Sequence, residues 1–230
     1  MDVYRTEEEQ IEAIKKFFAE YGWKVVAAIL VAVALYMGYH AWRHSQQTAR
    51  DTASLYYDKL SESLKSSQDP TGEGRKQFDE AYAKLLEEYP SSIYASYAAL
   101  HKARLDMLKP DLDAARKSLE WVVGAAVNAN VTALARLRLA RVEFAAGKTD
   151  RALELLSQEA GPYAADYAEL KGDILVSGNK LPEALVEYKK ALTSGGEAGK
   201  GTNKLLEMKI EDLSGADESK LYPVPAGTAQ

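Results

Sequence analysis

Residues 135–161, ARLRLARVEFAAGKTDRALELLSQEAG, and residues 163–195, YAADYAELKGDILVSGNKLPEALVEYKKALTSG, decide how this chain folds. Each contains a helix of apolar period three to four, a break at a glycine (Gly147, then Gly178), and a second helix of the same kind. The small residue that lets the paired helices approach is Ala152 in the first stretch and Ala184 in the second, 32 residues apart. Tyr188 and Ala191 complete the second pattern.

That interval is close to the period of a tetratricopeptide repeat, about 34 residues. Toward the N-terminus, SSIYASYAALHKARLDMLKPDLDAARKSLEWVV (91–123) is a degenerate version, with Ala114 in the small-residue place and Pro110 starting the second helix. QFDEAYAKLLEEYP (77–90) reads as a second helix ending at Pro90, and TARDTASLYYDKLSESLK (48–65) as the first helix before it. Toward the C-terminus, Lys204 to Leu213 is expected to form a helix covering the last apolar face. With almost no alternating β-branched runs, the fold class is all-α: a tetratricopeptide-like α-solenoid of three to four helical hairpins with a C-terminal capping helix. Residues 214–230 turn polar and carry Pro223, Pro225 and Gly227, the composition of a disordered tail.

One segment does not belong to this pattern. GWKVVAAILVAVALYMGYHAW (22–42) has no charge between Val25 and Tyr39, and residues 23–42 meet the roughly 20 residues that a helix needs to cross a bilayer. Tyr21, Trp23 and Lys24 at one end and Tyr39, His40, Trp42 and Arg43 at the other are interface anchors. An acidic head precedes it and no small-residue cleavage site follows, so the segment is a permanent anchor rather than a cleaved signal. In the head, residues 1–22, Ile11, Ile14, Phe18 and Tyr21 make a short amphipathic helix, with a turn expected at Gly22. Basic residues flank the span almost equally, and the short head before a long C-terminal domain tips the reading toward a cytoplasmic N-terminus. Domain organisation is therefore a cytoplasmic head at 1–22, a transmembrane helix at 23–42, a periplasmic repeat domain at 43–213 and the tail at 214–230.

Composition excludes several functions. The net charge of −5 divides between residues 1–24 (−2) and the remainder (−3), so neither part has the basic excess that phosphate neutralisation needs, and nucleic acid is set aside. No cysteine is present for thiolate chemistry or disulfides. GEAGKGT (196–202) puts Gly201 where a phosphate loop needs a hydroxyl, and it reads as a linker. His40 and His44 lack a third ligand, His101 stands alone on its helix, and Asn130-Val131-Thr132 is too short a motif to carry weight. Nothing supports catalysis, a metal, a cofactor or a small-molecule substrate.

The acidic head with QIEAIKKFFAEYGW (10–23), the single span, and the repeats LARLRLARVEFAAGKTDRALELL (134–156) and ELKGDILVSGNKLPEAL (169–185) together resemble the YfgM family, ancillary subunits of the bacterial SecYEG translocon. The resemblance implies a single-pass inner-membrane protein with a periplasmic C-terminal domain. It also implies partners: the SecYEG translocon and a PpiD-type periplasmic chaperone, with the chain scaffolding chaperones near exported proteins. The terminal ADESKLYPVPAGTAQ (216–230) has no place in that likeness. The alternative is a membrane-tethered tetratricopeptide adaptor in cell-envelope assembly or stress signalling.

In such repeats the first helix of each pair lines the concave side. In the last two units those helices are expected near Thr132–Ala146 and Ala164–Ser177, which places Arg141, Asp166, Glu169 and Asp173 opposite the apolar contacts as candidate partner-binding charges. The plainer reading is a solvated face; on the partner-binding reading, reversing Asp166, Glu169 and Asp173 together is expected to leave stability nearly unchanged while weakening partner co-purification.

Overall fold

The computed structural model describes the backbone of residues 7–64, 72–108, 111–195 and 200–221. Every regular element among them is helical: α1 (Glu7–Ser63), α2 (Glu73–Glu88), α3 (Ile93–Met107), α4 (Leu112–Ala125), α5 (Ala129–Ala145), α6 (Thr149–Leu156), a 3₁₀ turn (Gly161–Tyr163), α7 (Ala164–Ser177), α8 (Leu181–Ser194) and α9 (Lys200–Leu221). The chain divides into two compact units, residues 1–52 and 53–230.

The first unit is the greater part of α1. The helix passes through Gly22 and Trp42 without a break, so the turn expected at Gly22 does not occur. A single glycine costs a helix about 1 kcal/mol relative to alanine, which is too little to end one with long apolar flanks. Trp23 is 70% exposed, Leu30 64% and Leu35 69%, and an 18-residue window of mean hydropathy 1.8 has none of its residues buried. Apolar surface left in water costs about 25 cal/mol per Å², so an unpacked stretch of this length fits a bilayer and not a core. Lys24 lies over the rings of Tyr21 and Trp23, at 4.7 and 5.9 Å, the cation and aromatic pairing of an interfacial collar.

The second unit is built from hairpins. Helices α3 and α4, α5 and α6, and α7 and α8 pair, α2 packs on α3, and the end of α1 joins them through a shared apolar cluster. Ala53 and Leu60 from α1 join Phe78, Ala81 and Leu85 from α2 and Ala95, Ala98 and Leu105 from α3 in one apolar cluster. The central cluster runs from Ala99 in α3 to Ile174 in α7, including Leu119, Leu137, Leu139 and Leu156. The first helices α3, α5 and α7 lie side by side along it.

The repeat is visible in the hydrogen bonds. Lys148 N–H donates to Glu143 O and Gly147 N–H to Phe144 O, and the same bonds recur 32 residues on, from Lys180 to Leu175 and from Asn179 to Val176. Gly147 (φ 77°) and Asn179 (φ 57°) take the left-handed residue of these turns, so Gly178 is not the strained position in the second one. In the degenerate unit Asp111 N–H donates to Asp106 O, and Asp111 caps α4 by accepting from Ala114 N–H at 3.0 Å. Ala115, fully buried, is therefore the small residue equivalent to Ala152, one place after the expected Ala114; Pro110 lies outside the described residues.

Helix α9 caps the last pair. Leu206 is buried against Ala168, Tyr188 and Ala191, with Ile210 and Leu213 partly buried beside it. The helix continues past Leu213 to Leu221, and residues 222–230 of the expected tail lie outside the described residues.

Candidate functional site

The four candidate charges fall in three places. Asp166 is exposed on the first turn of α7. Glu169 and Asp173 are not open charges: Lys209 Nζ on α9 donates to Glu169 Oε1 at 2.8 Å and to Asp173 Oδ1 at 2.7 Å, and the hydroxyl of Tyr188 donates to the same Asp173 oxygen at 2.7 Å. Lys209 also lies 5.3 Å from the Tyr188 ring centre. These two acids fasten the capping helix, so reversing them strains the α7–α9 contact, contrary to the expectation of unchanged stability.

Arg141 is different. It lines the rim of a cavity of about 260 Å³ between α3 and α5, together with Arg104 and Arg138. The floor is apolar: Ala103 from α3, Leu119 from α4 and Val142 from α5, with Met107 at the side. Helical spacing produces this arrangement, since Arg104 and Met107 are three apart on α3 and Arg138 is three before Arg141 and four before Val142 on α5.

The rim carries positive charge only among its lining residues. Two arginines elsewhere in the domain are paired: Arg75 Nη2 donates to Asp106 Oδ1 at 2.6 Å, and Arg116 Nε to Glu143 Oε1 at 2.6 Å, whereas on the rim Arg138 is half-buried and Arg104 and Arg141 are exposed. Arg104, Arg138 and Arg141 have no carboxylate partner among the described residues. Burial holds Arg138 below the usual guanidinium range, Arg141 and Arg104 push it further down, and Tyr163 partly opposes them. One turn before Arg104, His101 is also held below its ordinary value, first by burial and then by Arg138 and Arg104. Its Nε2 is 3.2 Å from the hydroxyl of Tyr57, whose ring stands 5.5 Å from Tyr94 and 6.0 Å from Tyr97. The arginines thus continue into an aromatic patch.

Sequence reasoning found Arg141 and missed Arg104 and Arg138. The available signal for Arg138 was arginine set among residues that are otherwise apolar in LARLRLARV (134–142), where a solvated helix face would carry acids as well; HKARLDM (101–107), with Lys102 and Asp106, gave no such signal for Arg104. Among the described residues, no group of three His, Cys, Asp or Glu side chains is placed to hold a metal ion.

Residues 15–215 match the family model of the tetratricopeptide repeat-like domain. The chain is 28% identical over 215 residues to the ancillary SecYEG translocon subunit of Escherichia coli (strain K12), covering 93% of this chain and 100% of that protein. It is 28% identical over 208 residues to the protein of the same name in Haemophilus influenzae, with 90% and 97% covered, and 27% identical over 217 residues to that of Neisseria gonorrhoeae, with 93% and 100% covered. The resemblance drawn from the head, span and repeat motifs is borne out.

Proposed function

This chain belongs to the tetratricopeptide repeat-like domain family, and from that membership we propose that it is a non-catalytic ancillary subunit of the Sec translocon. In this reading α1 anchors it once in the inner membrane with the N-terminus cytoplasmic, and the hairpin domain stands in the periplasm. There it holds a PpiD-type chaperone beside chains leaving the channel. The observation that carries the proposal is the reach of the similarity: the E. coli relative, named for the SecYEG translocon, is matched along its entire length, through the exposed apolar helix and the repeats together.

Tethering supplies the mechanism. A chaperone held close to the channel meets emerging chains at an effective concentration that reaches the millimolar range for short flexible linkages, so weak contacts suffice. Purification of the full chain in mild detergent is expected to bring down translocon subunits and a membrane-anchored periplasmic chaperone. Recovery of the folded protein without either overturns the proposal. A reporter fused after Gln230 is expected to be active only when exported, and activity confined to the cytoplasm rejects the orientation.

A further inference from the structure

Arg138 is half-buried, and burial makes a cation without a counter-charge costly. Arg75 and Arg116 have carboxylate partners, whereas Arg138 has none among the described residues, and the exposed Arg104 and Arg141 line the same cavity and add positive charge beside it. The cluster is not part of a general basic surface, since the chain carries a net charge of −5. An outside anion is the group that this rim lacks.

The floor narrows the choice. A free inorganic anion would satisfy the guanidinium groups and leave Ala103, Leu119 and Val142 facing water. A nucleic-acid strand requires a longer basic track and stacking platforms aligned with it. A cavity of about 260 Å³ is smaller than most sites for drug-sized ligands and is the right scale for one or two side chains. A carboxylate adjacent to an apolar side chain satisfies rim and floor at once, and arginine's planar fork suits the carboxylate.

We infer that the cavity between α3 and α5 is a docking site for an acidic peptide segment of a partner protein, which seats an apolar side chain on Ala103, Leu119 and Val142 while Arg104, Arg138 and Arg141 hold its flanking carboxylates. The inference rests on the reading of the repeat domain as a protein-binding module and is independent of which protein supplies the segment. His101 is its built-in reporter. The groups facing it are Tyr57 from α1, Arg104 from α3 and Arg138 from α5, so a bound carboxylate that neutralises the two arginines raises its pKa.

The test uses the full chain in mild detergent and a fluorescein-labelled, end-capped peptide Asp-Leu-Phe-Asp-Glu, followed by anisotropy. The double variant Arg104→Gln, Arg138→Gln is expected to weaken binding at least tenfold. Arg136→Gln, on the same helix with its guanidinium turned to Glu159 O, is expected to leave binding unchanged. The peptides Asn-Leu-Phe-Asn-Gln and Asp-Ala-Ala-Asp-Glu are each expected to bind at least fivefold more weakly than the parent. Because the arginines repel one another, the double variant is expected to melt no lower than the parent, which separates a binding role from a structural one. Equal binding of the amide peptide, equal binding by the double variant, or displacement by sulfate or a short RNA at concentrations where the peptide does not compete overturns the site. A His101 pKa that stays fixed as peptide saturates does the same. Translocon co-purification is scored in parallel: its loss with peptide binding intact rejects the export reading alone, and its retention with no peptide binding rejects the site alone.

Discussion

Gly172 on α7 lies so close to Tyr188 on α8 that a Cβ at this position would stand under 3.0 Å from the ring carbons Cδ1 and Cε1. The ring has no room to yield. Tyr188 is 3% exposed, its hydroxyl is held by Asp173, and burial followed by that hydrogen bond pushes its phenol above the ordinary range. Gly172→Ala is therefore expected to destabilise the domain by about 1–3 kcal/mol through overpacking, with alanine's better helix propensity offsetting only part of it. In a domain of this size each kcal/mol lowers Tm by about 2–4 °C. A rise in Tm on this substitution would show that the α7–α8 approach is looser than the geometry requires.

The ion pairs recur with the repeat. Arg75 of α2 reaches Asp106 at the end of α3, and Arg116 of α4 reaches Glu143 at the end of α5, so each second helix is tied to the next first helix. Asp106 and Glu143 are both buried and both accept, through their main-chain carbonyls, the bond that closes their helix. Their remaining partners differ. Without Arg75, Asp106 keeps Lys102 at 2.7 and 2.8 Å; without Arg116, Glu143 keeps, among the described residues, only Lys148, at 3.6 Å from Oε2. Arg116→Met is expected to cost about 3–5 kcal/mol by stranding a buried carboxylate, and Arg75→Met distinctly less. Urea unfolding of the two variants decides the order, and the double variant Arg116→Met, Glu143→Leu is expected to recover most of the loss.

How much of this was legible in the sequence follows from the range of each interaction. The last two hairpins could be read because turn chemistry and the small residue lie within a few positions of each other, Gly147 with Ala152 and Asn179 with Ala184. The earlier unit was misplaced by one residue because no glycine marks its register, and only the cap at Asp111, four places before the buried Ala115, sets it. Arg75 and Asp106 are 31 residues apart, and Arg104 and Arg138 meet only when α3 and α5 pack, so neither follows from local periodicity. Glu169 and Asp173 read as solvated because nothing in their own helix reveals that Lys209 of α9 will lie across them.

That contact makes Lys209 the fastening point of the cap. Lys209→Met leaves Glu169 and Asp173 facing each other one turn apart, with Leu206 still buried but no charge holding the helix down. The expected result is local: hydrogen exchange in α9 quickens at least tenfold while α5 and α6 stay protected, and global stability falls by about 1 kcal/mol. Equal loss of protection throughout the domain would mean that α9 unfolds with the repeats rather than ahead of them.

His101 gives the domain a pH dependence whose sign is set by its surroundings. Burial, then Arg138 and Arg104, hold its folded pKa below the ordinary 6.5. Above 6.5 both folded and unfolded chains carry a neutral imidazole, and the contribution to stability is complete. As pH falls through that value the unfolded chain takes up a proton that the folded chain refuses, so stability drops until the lowered folded pKa is reached. Between pH 7.5 and 5.5 the parent is therefore expected to lose Tm more steeply than His101→Gln. The same window contains no ordinary carboxylate midpoint, since Asp and Glu titrate near 4. An NMR titration of the ring of His101 in the folded protein checks the cause directly: a midpoint at or above 6.5 would remove the influence of the two arginines on this face.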